Sequence, residues 1–199
     1  MKRVWLLTAF EPFAGRPENN SQSVLAEIKK ITEENSANPN WQFEFHFLTL
    51  PTEYDRCFTV LMNQVETLES QKIHLEGILS LGEGAEDFKL ETQANNLDDV
   101  PNFPDNKGIT RVNQKIFPKL KSEFIPLRFP FEAFARIRDS KSPGFFICNH
   151  LCARMGVEFA NPKKPFFGFI HVPRTGMGGV FTADVCASMI VNGFKKISV

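Results

Sequence analysis

Short apolar runs alternate with amphipathic stretches along most of this chain. Runs typical of strands cover residues 3 to 9, 42 to 50, Gly77 to Leu81 and 166 to 172. Helical spacing predicts helices that begin at Ser21 or Ser23, cover Glu53 to Ser70, run from Cys148 to Ala160 and occupy residues 182 to 192. Such alternation favours a three-layer α/β domain with a mostly parallel or mixed sheet.

The segment between the third and fourth strands has a less regular pattern. Residues 84 to 125 are predicted to be irregular and polar, with a turn at Pro104 to Gly108, and part of 131 to 139 is predicted to be helical. A length of 199 residues suits one domain with a full hydrophobic core. We therefore expect residues 1 to 199 to form a single domain.

Charge, apolar run length and cysteine count exclude several classes of protein. Lys and Arg together number 23, as do Asp and Glu, so no net field attracts the chain to nucleic acid. No run approaches the roughly 18 apolar residues that span a bilayer, so we expect no membrane segment. Four cysteines in 199 residues do not make a disulfide framework, and we expect a cytoplasmic protein.

The chain has 21 phenylalanines but one tyrosine. Most of these rings are expected to fill the core, because each buries a large apolar surface. A phenylalanine is expected to form a flat wall for a ligand only where it clusters with other signals of a site.

Cys148 and His171 carry the strongest functional signal. Cys148 begins a predicted helix, where the positive end of the helix dipole and unpaired backbone N–H groups favour thiolate over thiol. His171 lies in the strand 166 to 172, close to its end. Ligands bind beyond the carboxyl ends of the strands in such sheets, so the loop 10 to 20 and the loop after Gly82 are expected nearby. His171 is therefore the best candidate for a base that takes the proton of Cys148.

Such a base needs a group that orients it, and spacing alone leaves that group open. The candidate carboxylates in the polar segment are Glu83, Glu86, Glu91, Asp98 and Asp99. The other histidines are weaker candidates for the base. His46 and His74 are predicted to be structural or solvated, and His150 lies on a different face of the helix that carries Cys148.

Two other interpretations of Cys148 stay open on the residues alone. In the first it is a buried, inert thiol. In the second, Cys148, Cys152 and His171 bind zinc, although the chain has no CxxC pair and no obvious fourth ligand. Cys57 and Cys186 lie on apolar helical faces and are predicted to be core residues. We expect no metal ion.

Two segments are specific in their residue order, Cys148-Asn149-His150 and Phe169-Ile170-His171-Val172-Pro173. Less specific motifs accompany them at Leu7 to Gly15 with Asn19, Leu50-Pro51-Thr52, Leu81-Gly82 and Pro104 to Gly108. Together these segments resemble the pyroglutamyl peptidase I family, the pyrrolidone-carboxylate peptidases, in the family's order and at close to its spacing.

The resemblance implies a three-layer α/β/α sandwich with a mixed, mostly parallel central sheet. It also implies removal of an N-terminal pyroglutamyl residue from peptides, without a cofactor. Cys148 would be the nucleophile, His171 the general base and acid, and Glu91 the group that orients the imidazole. The substrate-binding residues it implies are Phe10, Phe13, Asn19, Thr52, Phe146 and Ile147. Family members are commonly dimers or tetramers, so a homo-oligomer is expected.

The loops that would select the substrate depart from the family pattern. The run Glu83 to Asp87 is more acidic than the family's glycine-rich loop, and Asn102 and Phe103 replace an arginine and an isoleucine. The stretch 109 to 147 is shorter than usual. Three functions stay open: a pyroglutamyl peptidase, a catalytically silent relative that binds peptides or a partner, and an amidase that acts on another small acyl group.

Overall fold

The computed structural model describes residues 2–197. The first elements are β1 (Arg3–Phe10), α1 (Asn20–Asn35), β2 (Phe43–Leu50), α2 (Arg56–Ser70) and β3 (Leu75–Glu83). Short strands follow: β4 (Lys89–Glu91), β5 (Gln93–Asn95), β6 (Asp98–Val100), β7 (Arg111–Gln114) and β8 (Phe124–Pro126). The last elements are a 3₁₀ turn (Phe131–Phe134), β9 (Arg138–Ser140), α3 (Ile147–Glu158), β10 (Phe166–Val172) and α4 (Ala183–Phe194).

Within residues 2–197, one sheet of six strands has the order β2-β1-β3-β10-β4-β9. Neighbouring strands pair in parallel except at the contact between β10 and β4, which is antiparallel. Two small antiparallel pairs, β5–β8 and β6–β7, lie outside this sheet. The predicted α/β class with a mixed, mostly parallel sheet is confirmed.

Alternating side chains along the central strands place a layer of helices on each face of the sheet. On β1, Trp5 and Leu7 face a core shared with α1 and α4, whereas Leu6 faces a core shared with α2 and α3. The three layers are therefore α/β/α, as the resemblance implies. Phe169 of β10 belongs to the second core, so the helix that carries Cys148 covers this face of the sheet.

The predicted cap of the first helix was wrong. Asn19 caps α1, because its side chain accepts a hydrogen bond from the Ser21 N–H at 3.1 Å, so neither Ser21 nor Ser23 is the capping residue. Asn19 also donates to the Glu11 carbonyl oxygen at 3.0 Å. This tertiary contact favours Asn19 in a segment where several neighbouring residues are able to cap a helix.

Two other local predictions differ from the structure. Helix α2 begins at Arg56 instead of Glu53, because Asp55 has a φ of +54°, outside the helical region. Residues 84 to 125, predicted to be irregular, contain β4 to β7 and the start of β8, whereas the helix predicted within 131 to 139 is present as the 3₁₀ turn Phe131–Phe134. These short strands are stabilised by pairing with distant segments, which local periodicity does not reveal.

Among residues 2–197, no helix combines the length and the apolar character needed to cross a bilayer. The single domain expected for residues 1 to 199 stays a prediction, and its outermost residues, Met1, Ser198 and Val199, lie outside the described part of the chain.

Candidate active site

A pocket of about 240 Å³ lies where β1, β3 and β10 end and α3 begins. Cys148 and His171 line it, together with every residue predicted to bind substrate. Those residues are Phe10, Phe13, Asn19, Thr52, Phe146 and Ile147. Parallel strands bring their carboxyl ends to one edge of the sheet, which explains why segments far apart in the sequence meet here.

Cys148 is the second residue of α3 and is half-buried in the pocket wall. Phe146 stands at the N-cap of this helix and makes no side-chain capping hydrogen bond. The first N–H groups of a helix have no carbonyl acceptor within it. The N–H groups of Ile147 and Cys148 are therefore available to bind a developing negative charge.

Gly82, near the end of β3, makes room for the sulfur of Cys148. A Cβ atom at position 82 would come within 2.8 Å of Cys148 Sγ and within 2.6 Å of Phe169 Cζ. Gly82 is also the direct neighbour of His171 in the β3–β10 register. The thiol and the imidazole therefore lie at the same end of the sheet, around a residue without a side chain.

Glu91 is the carboxylate that contacts His171. The His171 Nδ1 atom is 2.8 Å from Glu91 Oε1, and the two side chains are 6% and 0% exposed. In the antiparallel β10–β4 register, Phe169 lies opposite Glu91 and His171 lies opposite Lys89, so Glu91 is the diagonal neighbour of His171 on one face. Glu91 Oε2 is buried without a hydrogen-bond partner in the described chain.

The thiol and the imidazole share the pocket without a direct hydrogen bond. The hydrogen bonds described for residues 2–197 include the one from His171 to Glu91 but none between Cys148 Sγ and the His171 ring. Catalytic hydrogen bonds of free enzymes are often long and tighten when substrate binds. The arrangement is compatible with proton transfer from Cys148 to His171 during a reaction.

The pKa of the Cys148 thiol is raised to about 12, first by burial and then by the negative charge of Glu91, with a further contribution from Glu83. The Cys148 backbone N–H and the ammonium group of Lys89 act in the opposite direction. The helix N-terminus thus favours the thiolate, as expected, but burial outweighs it. At neutral pH the group is a thiol, which needs a base before it can attack.

Aromatic rings form one wall of the pocket. The centroids of Phe13 and Phe146 are 6.2 Å apart, and Phe103 packs edge-on against them at 5.9 Å and 5.2 Å. Tyr54 packs edge-on against Phe146, at 5.7 Å. Phe103 was noted in the sequence as a departure from the family pattern, and here it supports the two pocket rings.

Asn19 and Thr52 use their donors to hold the loop after β1. Both side chains donate to the carbonyl oxygen of Glu11, at 3.0 Å and 2.8 Å. The loop carries Phe13, so these two residues shape the pocket as well as lining it.

Glu83, one of the candidate orienting carboxylates, binds other groups. It accepts a hydrogen bond from the Asn20 N–H at 2.7 Å and pairs with Arg16, while Arg174 approaches within 3.5 Å. The Arg16 guanidinium lies 4.5 Å from the ring centroid of Phe13. With a side chain 1% exposed, Glu83 joins the end of β3 to the loop after β1.

The remaining candidate carboxylates lie elsewhere. Asp98 Oδ2 is 2.7 Å from His150 Nδ1, so His150 has a partner of its own, in line with its rejection as the base. Asp99 accepts a hydrogen bond from the Asn113 N–H at 3.0 Å, and Glu86 is exposed.

The structure does not support the zinc interpretation. Over residues 2–197, no group of three or more His, Cys, Asp or Glu side chains is placed to hold a metal ion. Cys152, the second ligand in that interpretation, is buried in the core, and Cys57 and Cys186 are buried as well.

Lys89 is a pocket residue that the sequence analysis missed. A signal was present, because residues two apart on a strand point to the same face of a sheet. Once Glu91 is assigned to the site, a strand at 89 to 91 would have placed Lys89 beside it.

A family model described as pyroglutamyl peptidase matches residues 2–195. The chain belongs to the pyroglutamyl peptidase family. The resemblance first noted from its motifs is confirmed, and so is the predicted class of enzyme, a cysteine-type peptidase.

The chain is similar to two bacterial proteins over most of its length. It is 27% identical to the pyrrolidone-carboxylate peptidase of Fusobacterium nucleatum over an alignment of 217 positions, which covers 100% of this chain and 91% of that protein. It is 29% identical to pyrrolidone-carboxylate peptidase 1 of Caldanaerobacter subterraneus over 178 residues, which cover 84% of this chain and 81% of that protein.

Solved structures share the fold. Pyroglutamyl peptidase I of Bacillus amyloliquefaciens superimposes with a TM-score of 0.78 at 20% identity, covering 98% of this chain and 95% of that one. The pyrrolidone carboxyl peptidase of Fervidobacterium islandicum gives 0.77 at 23% identity, covering 98% and 99%. At these identities the likeness shows the α/β/α architecture.

Proposed function

We propose that this protein is a cysteine peptidase that removes an N-terminal pyroglutamyl residue from peptides through a thioacyl-enzyme on Cys148. The observation that carries the proposal is the buried pair of His171 and Glu91, 2.8 Å apart, beside the pocket that Cys148 lines. The names of the similar bacterial proteins, pyrrolidone-carboxylate peptidases, support the same substrate class.

In the first half of the proposed reaction, the Cys148 sulfur attacks the carbonyl carbon of the pyroglutamyl group while His171 Nε2 takes the thiol proton. Glu91 accepts the hydrogen bond from Nδ1, which leaves Nε2 as the base and stabilises the imidazolium that forms. The C–N bond of the peptide then breaks, and the imidazolium gives its proton to the leaving amine.

Negative charge on the carbonyl oxygen is stabilised by the start of α3 in this proposal. The N–H groups of Ile147 and Cys148 lie at the uncapped N-terminus of the helix. Each preorganised donor of this kind contributes about 3–4 kcal/mol in comparable hydrolases.

In the second half, water hydrolyses the thioester. His171 takes a proton from the water, the resulting oxygen nucleophile attacks the acyl carbon, and the C–S bond breaks. The proton returns from His171 to the Cys148 sulfur, and pyroglutamate leaves. The two steps balance without a cofactor, in agreement with what the resemblance implies.

The pocket suits an uncharged lactam ring. Phe10, Phe13 and Phe146 supply apolar faces, and Asn19 and Thr52 lie beside them. A flat, neutral acyl group is held by such faces and a few hydrogen bonds, whereas a charged amine would lose its hydration there without a partner.

The test is release of a fluorogenic amine from a pyroglutamyl amide. Wild type is expected to hydrolyse it, Cys148→Ala to be inactive, and Cys152→Ala, which removes the neighbouring buried thiol, to stay active. A prolyl amide is the control: it has the same five-membered ring without the ring carbonyl, so its ring nitrogen is a charged amine, and it is expected to be a poor substrate. Equal rates for wild type and Cys148→Ala would contradict the proposal.

The alternatives left open by the sequence give different results. A catalytically silent relative would bind pyroglutamate in calorimetry without turnover, and an amidase of shifted specificity would prefer another acyl amide. Self-association as a dimer or tetramer and a cytoplasmic location stay predictions.

A further inference from the structure

Lys89 brings a positive charge to the wall of the pocket. It lines the pocket with Cys148 and His171, and its side chain is 24% exposed. In the sheet, Lys89 lies opposite His171 on one side and opposite Arg138 on the other. Its Nζ atom is 3.9 Å from Glu91 Oε1, on the same face of β4.

The carboxylate beside Lys89 is that of Glu91, and the other charged residue that lines the pocket, Glu83, does not pair with Lys89. Among the described residues that line it, Lys89 is the one Lys or Arg. Glu83 has the opposite charge, but Arg16 pairs with it and Arg174 approaches within 3.5 Å. The pocket that Cys148 lines therefore also contains the ammonium group of Lys89.

We propose that Lys89 is a positioning residue for the reaction, whose ammonium group stabilises negative charge on the Cys148 sulfur and offsets the charge of Glu91. The inference rests on the proposed function, because it concerns the nucleophile of that reaction. Lys89 acts through Cys148, and it replaces part of the hydration that a thiolate loses in a buried site.

Three charged groups act on the sulfur of Cys148. Glu91 from β4 and Glu83 from the end of β3 disfavour a negative sulfur, and Lys89 favours it. His171 faces the pocket from β10.

Two further thiols lie near Cys148 in the core of the same face. These are Cys152, one turn along the same helix, and Cys57 of α2. Burial raises the pKa of both, so they add no charge at neutral pH.

The test is the pH dependence of alkylation at Cys148 by iodoacetamide, followed on the Cys148 peptide by mass spectrometry. In Lys89→Met we expect thiolate formation to move to higher pH by roughly half to one unit, which lowers the alkylation rate by roughly three- to tenfold at a fixed pH below the midpoint. Lys89→Gln is expected to behave in the same way, and Lys89→Arg, which keeps the charge, to resemble wild type.

The matched control is Lys121→Met, which removes an exposed lysine outside the pocket. The same pH profile in Lys89→Met, Lys89→Gln and Lys121→Met would overturn the inference, and so would a profile for Lys89→Arg that matches Lys89→Met. Alkylation needs no peptide substrate. If alkylation differs between wild type and the Lys89 variants as expected, but wild type does not hydrolyse a pyroglutamyl amide, the proposed function is contradicted. The influence of Lys89 on Cys148 is not.

Discussion

Two histidines near the start of α3 each pair with a buried carboxylate, but their second nitrogen atoms differ. His171 Nδ1 is 2.8 Å from Glu91, and His150 Nδ1 is 2.7 Å from Asp98. His150 Nε2 is also occupied, at 3.2 Å from Asp55. His171 Nε2 has no hydrogen-bond partner described within residues 2–197, and its side chain lines the pocket.

The pair formed by His150 and Asp98 contacts two further charged side chains, those of Arg111 and Asp55. Arg111 Nη1 is 2.9 Å from Asp98, and Arg111 also binds Asp55. Burial acts to raise the pKa of Asp55, but the charges of His150 and Arg111 outweigh it, and the pKa is lowered. This network joins the start of α2, β6, β7 and α3.

The comparison shows what separates a structural histidine from a candidate base. A carboxylate partner is common to both, so it does not decide the role. What distinguishes His171 is a ring nitrogen left for a substrate, in a pocket that also contains a thiol, and this is why we propose His171 as the base. In our proposal a histidine–carboxylate pair supports stability at His150 and reactivity at His171.

The largest effect is expected from matched substitutions of the two histidines. Asparagine places its amide nitrogen about where histidine has Nδ1, so His171→Asn keeps a donor to Glu91 and removes the base. We expect kcat/KM on a pyroglutamyl amide to fall by about 10³-fold or more, with little change in the free energy of unfolding.

His150→Asn is the counterpart of that variant. It keeps a donor to Asp98 but loses the hydrogen bond to Asp55, so we expect the free energy of unfolding to fall by about 1–2 kcal/mol and kcat/KM to stay within a few-fold of wild type. Denaturant titration and steady-state kinetics on both proteins check this pair. Equal loss of activity in the two variants would show that the distinction between the histidines is wrong.

The next effect concerns the two carboxylates. Glu91→Gln keeps the shape of the side chain but removes the charge that stabilises the imidazolium, so we expect kcat/KM to fall by about 10²-fold or more. The cation beside Glu91 is Lys89, which is 24% exposed and 3.9 Å away, so we expect the free energy of unfolding to change little. Asp98→Asn leaves Arg111 and His150 without their buried anion, and a loss of about 3 kcal/mol is expected.

Thermal or denaturant unfolding, measured beside activity, separates these outcomes. Loss of stability in Glu91→Gln with activity retained would contradict the assignment of Glu91 to the reaction. Loss of catalysis at unchanged stability in Asp98→Asn would contradict the structural role of the second pair.

The smallest effect is expected at Arg16, which acts on the pocket without touching either histidine. Arg16→Gln removes the partner of Glu83 and the cation above the Phe13 ring. We expect KM to rise by roughly three- to tenfold, about 1 kcal/mol of lost binding, with kcat little changed. Arg136→Gln, at an exposed site, is the matched control, and a fall in kcat at constant KM in Arg16→Gln would exclude a role confined to substrate binding.

The sequence predicted the parts of the fold that follow a regular period. The strands at 3 to 9 and 166 to 172 were predicted within a residue of their observed bounds, because buried apolar runs specify them locally. The region 84 to 125 was not, since its three- and four-residue strands depend on partners far along the chain. Asn19 as a cap depended likewise on a contact with Glu11.

The site shows the same division. Cys148 at a helix start and His171 near a strand end were visible in the pattern, and the resemblance supplied Glu91. Lys89 was missed because residues 84 to 125 were predicted to be irregular, so no strand was expected at 89 to 91 to place Lys89 on the same face as Glu91. Arg16 and Glu83 form an ion pair between two segments that no periodicity connects.

The central claim is that Cys148 carries a pyroglutamyl group during the reaction. Wild type and Cys148→Ala are mixed with a pyroglutamyl ester, quenched in acid within the first turnover and digested for mass spectrometry. We expect a pyroglutamyl adduct on the Cys148 peptide of wild type and no adduct in Cys148→Ala. Turnover of the substrate with no adduct on Cys148, or an adduct on another residue, would contradict it.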